Sequence, residues 1–68
     1  MENKEEIHHY AQIALQQIED LYKTLDNIIS LSDFRSYAYD AAQESRTAIG
    51  MLKMKIGVVS DLTESLTI

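Results

Sequence analysis

The sequence predicts an all-α protein, an antiparallel helical hairpin with coiled-coil-like packing that dimerises into a four-helix bundle. Three observations predict it. Two heptad stripes run along the chain: Ile7, Ala11, Ala14, Ile18, Leu21, Leu25 and Ile28, then Ala38, Ala42, Ser45, Ile49, Leu52, Ile56 and Val59. A short polar break at Ser30 to Asp33 separates them. Proline is absent and there are only 2 glycines, both in the second half, so the first stripe can run as one uninterrupted helix.

The first helix is expected over about residues 3–29. At the break the periodicity pauses and two start signals overlap. Ser30 with Asp33 approximates a capping box, with Ile29 and Phe34 as the hydrophobic staple across it. Ser32 is the other candidate N-cap, with Asp33 near the positive end of the helix dipole. The second helix is expected over about residues 32–57. Gly50 lies inside its pattern and reads as a tolerated surface glycine that costs about 1 kcal/mol relative to alanine; a close helix approach is the alternative reading. Gly57 follows Lys53 and Lys55 and suits a C-terminal cap. Beyond it, Ser60, Asp61 and Glu64 restart a weak helix signal with Leu62 and Leu66 along one side. Residues 58–68 are therefore either a short third helix or a frayed tail.

Folding the chain at the break predicts a register. Leu25 meets Ala38, Leu21 meets Ala42, Ile18 meets Ser45, Ala14 meets Ile49, Ala11 meets Leu52 and Ile7 meets Ile56. Every pair but the last sets a large side chain against a small one, the pattern that fills a helical core without voids.

Length and composition bound what such a hairpin can be. The 68 residues form one domain, and a chain this short buries only about 60% of its unfolded surface. Disulfides, a metal or oligomerisation usually supply the missing stability. Cysteine is absent, which removes disulfides and thiolate zinc sites and leaves oligomerisation open. No apolar run approaches the ~20 residues of a membrane span, and Met1 to Glu6 lack the basic start of a signal peptide. The expectation is a complete, soluble, cytoplasmic chain without a membrane partner. The formal charge is −5. Most of it sits in the first helix, where Glu2, Glu5, Glu6, Glu19, Asp20 and Asp26 face only Lys4 and Lys23. An acidic balance disfavours nucleic acid, whose phosphates attract basic proteins.

Function is legible only as a class. Apolar rows flank both stripes: Leu15, Tyr22 and Ile29 on the first helix, Phe34, Ala41 and Ala48 on the second. A helix whose apolar arc is wider than one seam packs on a further neighbour, so these six residues are the expected self-association surface of a homodimer. Glu19, Asp20 and Asp26 are the expected contact for a basic patch on another protein. Glu5 with His8, and Glu6 with His9, carry the Glu-x-x-His spacing of di-iron bundles. On the heptad, however, Glu5, Glu6 and His9 point outward and His8 lies level with about Lys55, so no metal ligand is assigned. Tyr22 and Tyr39 are expected to pack together across the seam. No nucleophile–base–acid relay, phosphate loop or cofactor motif is present. The reading is a small non-enzymatic protein–protein interaction module. The alternatives are a small dimeric nucleic-acid-binding regulator and, less favoured, a metal-binding bundle. In length and paired heptads the chain resembles the small plasmid-encoded RNA-regulating hairpins that dimerise into four-helix bundles. That resemblance implies the RNA alternative, and the acidic balance departs from it.

Overall fold

In the computed structural model, which describes residues 3–64, the chain forms two helices, α1 (Lys4–Leu31) and α2 (Tyr37–Thr63). They run antiparallel and pack along their length. Asn3 starts α1: its side chain accepts the Glu6 N–H at 3.1 Å, and Glu5 and Glu6 occupy the positive first turn.

The turn lies later than the sequence places it. Ser30 and Ser32, the expected N-caps, instead donate their hydroxyls back to the carbonyls of Asn27 and Ile28, at 3.1 and 2.6 Å. Serine hydroxyls near a helix end choose between these two uses, and here both bond back to α1, which extends through Leu31 with Ser32 as its C-cap. Ser36 is the N-cap of α2, accepting the Tyr39 N–H at 3.2 Å. Its own N–H donates to the Asp33 carbonyl at 3.0 Å. Between them Arg35 adopts φ 62°, a left-handed conformation that costs an L-residue about 1–2 kcal/mol. Helix α2 thus begins at Tyr37 rather than near residue 32.

The far end is corrected as well. Helix α2 passes through Gly57 to Thr63, where the Glu64 N–H closes the helix on the Asp61 carbonyl. Gly57 is helix interior and not a cap. Ser60, Asp61 and Leu62 continue α2 instead of opening a third helix; Leu66 lies outside the described residues.

The register differs from the expected one by a heptad. Leu52 shares a groove with Ile18 and Leu21, Ile56 shares one with Ala14, and Val59 one with Ala11 and Ile7. Each of these α2 residues stands seven places after the one expected opposite Ile18, Ala14 and Ala11. The pairing of Leu21 with Ala42 is therefore overturned. A heptad pattern looks the same after a slip of seven, so the stripes alone cannot fix the register. Moving the turn by half a heptad moves the register by a whole one, and the turn decides.

The core is one row deep. Ala11, Ile18 and Leu25, seven apart on α1, are buried with Ala42 of α2, and no described side chain is wholly buried. Ser36→Ala should lower unfolding free energy by about 0.5–2 kcal/mol, the usual worth of an N-cap. Ser32→Ala, on an exposed back-bonded hydroxyl, should change it by less than about 0.5 kcal/mol. Urea unfolding followed by circular dichroism compares the two, and equal effects would contradict this placement of the cap.

Candidate functional site

The two long edges of the hairpin are chemically unlike. Along one edge the two helices are joined by a series of polar contacts. Asp26 pairs with Arg46 at 3.2 Å and Glu19 pairs with Lys53. Tyr22 lies between those pairs, with the Arg46 guanidinium 5.5 Å and the Lys53 ammonium 5.8 Å from its ring centre, within cation–π range. Further along, Gln12 donates to the Ser60 hydroxyl at 2.6 Å and His8 Nδ1 donates to the Ser60 carbonyl at 2.9 Å. Thr63 bonds back to the Val59 carbonyl at 2.7 Å and approaches His8 Nδ1 at 3.4 Å. Ser60 and Thr63 are the buried polar residues of α2, and each is satisfied, as burial requires.

Gly50 is not a free surface glycine. A Cβ built there would lie 3.2 Å from the Tyr22 hydroxyl, so its missing side chain seats the tyrosine. The expected Tyr22–Tyr39 pair is absent, because the heptad slip carries Tyr39 to the turn. There its ring meets Phe34 edge-on at 5.3 Å, and its hydroxyl accepts from Gln43 at 3.3 Å.

Among the described residues the opposite edge carries no such polar lacing. A groove of about 390 Å³ is lined by Ile7, Tyr10, Ala11, Ala14, Ile56 and Val59, with Asn3 and Glu6 at its rim. A second groove of about 260 Å³ continues it past Ala14, Gln17, Ile18, Leu21, Leu52 and Ile56. Leu21 and Leu52 remain 45% and 48% exposed there. Ile28, one heptad beyond Leu21, extends the same row. At the turn, Leu31 and Tyr37 are almost wholly exposed and Phe34 largely so.

The six expected self-association residues do not share one surface. Leu15, Tyr22 and Ile29 are half-buried, and Tyr22 is covered by α2 of its own chain. Phe34 sits in the turn beneath Arg35, whose guanidinium is 5.4 Å from its ring. Ala41 is half-buried and Ala48 exposed; on α2 they follow the side of Ser45 and Leu52, at the open edge. The open row of α1 is Ala14, Leu21 and Ile28, residues expected in the seam. The acidic trio is also divided. Glu19 and Asp26 are partnered within the chain, while Asp20 accepts from Gln16 at 3.2 Å.

His8 lies level with Ser60 and Thr63 rather than Lys55, and its Nδ1 faces a carbonyl. Glu5, Glu6 and His9 are exposed. Among the described residues no group of three or more histidines and carboxylates is placed to hold a metal ion, and no helix is long and apolar enough to cross a membrane. Sequence reasoning missed Gln12, Ser60, Thr63 and Ser36. Their signal was available only in part: Gln12 follows His8 by one helical turn, and Thr63 prolongs the inner stripe beyond Ile56. Compared with known proteins, the chain matches no family model, no curated relative and no solved structure.

Two measurements test the polar edge. Gly57→Ala should gain the full helix-propensity difference of about 1 kcal/mol, since nothing lies within 4 Å of the added carbon. Gly50→Ala should gain less, and adding Tyr22→Phe to it should restore the difference. Additive effects in that double-mutant cycle would show that the hydroxyl is not the obstacle. The second measurement concerns Lys53, whose pKa is raised by its hydrogen bond to Glu19 and by that carboxylate's charge. A raised lysine pKa stabilises the fold below the unfolded value and ceases to do so as pH rises through the folded one. The stability difference between the native chain and Glu19→Gln should therefore be present at neutral pH and vanish at strongly alkaline pH. A difference that persists there would mean the pair contributes nothing electrostatic.

Proposed function

We propose that this chain is a small non-enzymatic interaction module that acts as a self-associating helical bundle, pairing through its open apolar edge. The asymmetry of the hairpin carries this reading. One edge meets its polar needs internally, whereas the other leaves Tyr10, Leu21, Ile28, Leu52 and Val59 in contact with solvent. Large contiguous apolar surface rimmed by polar residues is where proteins meet. A two-helix chain of this length gains stability by covering such a face. The acidic trio contributes less to the proposal, because Lys53 and Arg46 already balance two of its members.

Sedimentation equilibrium tests the reading. The native chain should run as a dimer at micromolar concentration, and Leu21→Glu should shift it to monomer by at least tenfold in dissociation constant, since pairing would bury an uncompensated charge. Leu21 is nearly half exposed within a single hairpin, so the substitution acts on pairing more than on the hairpin itself. A folded monomer up to millimolar concentration would overturn the proposal.

A further inference from the structure

Resting on that reading, the geometry points to one way of pairing: a second copy of the chain turned end for end, so that the turn of each hairpin lies over the open end of the other. The hairpin is 52 Å long and 20 Å wide, an outline on the order of 1,000 Å², which is of the same order as the about 800 Å² per partner of a standard interface.

The position of the grooves then chooses the orientation. The larger groove, around Ile7, Tyr10 and Val59, lies toward the end where α1 begins, and the second continues it only as far as Leu21. Two hairpins can stack face to face with their turns together or with their turns opposed. Turns together would set the large groove of one copy on the same groove of the other, void against void, which close packing disfavours. Turns opposed set each groove against the other copy's turn-proximal half, where Ile28 and Leu31 project unpartnered.

The row on α1 is also self-complementary in that arrangement. Ile7, Ala14, Leu21 and Ile28 are spaced evenly about the helix midpoint near Gln17. A second α1 laid antiparallel across that midpoint brings Ala14 onto Leu21 of the other copy, in both directions, and Ile7 onto Ile28. On α2 the same rotation brings Val59 toward Ala48. Ala14 with Leu21 and Val59 with Ala48 set large against small, and Ile7 with Ile28 sets two large side chains together at each end. The pairing is isologous and closes at two copies, so it does not propagate into a filament.

The chain contains no cysteine, so single introduced thiols report on geometry without background. Spin labels on Asp33→Cys, in the exposed turn, should give an inter-label distance approaching the 52 Å length of the hairpin. Gln17→Cys, near the two-fold axis, should oxidise to a disulfide-linked dimer that retains the helical signal of the native chain. A dimer with Asp33 labels closer than about 25 Å, on the order of one bundle width by helix dimensions, and no Gln17 cross-link would overturn the end-for-end arrangement while leaving self-association standing. A monomer in the sedimentation measurement would overturn both.

Discussion

The structure depends on where the chain turns. Two helices with heptad stripes can pair in any register that differs by seven residues, and the stripes assign nearly the same apolar contacts to each. The segment from Ser32 to Ser36 removes the ambiguity. It holds Ser36 as the cap of α2 and ties Ser36 to the Asp33 carbonyl. Its left-handed residue is an arginine, which has no intrinsic preference for that conformation. The strain is tolerated because capping and the register it selects outweigh it.

The polar edge enforces the same choice from a distance. Sliding α2 back by a heptad would bring Asp26 level with Tyr39 and Lys53 level with Gln12, so two cross-helix ion pairs would become one between Glu19 and Arg46. Tyr22 would meet Gln43 instead of the vacancy at Gly50. Exposed ion pairs are each worth little, with measured values of about 0–1 kcal/mol. Their collective effect here is discrimination between two otherwise similar packings, a recognised use of polar groups at helical interfaces.

How far the fold was legible follows from this division. Helix content, antiparallel pairing and one row of each stripe, Ala11, Ile18 and Leu25 on α1 and Ala42, Ile49 and Ile56 on α2, could be read from spacing, because spacing fixes which residues share a helix face. Register could not, since it rests on which serine caps which helix, and Ser30, Ser32 and Ser36 differ only in how their hydroxyls are used. The misplacement then carried through to every cross-helix expectation. It put His8 beside Lys55, Tyr22 beside Tyr39 and Leu21 beside Ala42. The acids Glu19 and Asp26 looked unpartnered for the same reason, their lysine and arginine having been assigned to another level. A separate difference lies in the arc of α1 that is covered: the Ala11, Ile18 and Leu25 row is enclosed as expected, but Tyr22 is partly covered and Leu21 is open.

The thinness of the core has a consequence for the chain's lifetime. With no described side chain wholly removed from water, the isolated hairpin holds little free energy against unfolding. Anything that binds only the folded form then acts as a stabilising ligand, a second copy included, and its effect rises with concentration. Open chains are the substrates of proteases, so degradation would draw on the unpaired fraction. If two copies pair as proposed, a scarce chain would be cleared quickly and an abundant one slowly, so abundance would reinforce itself.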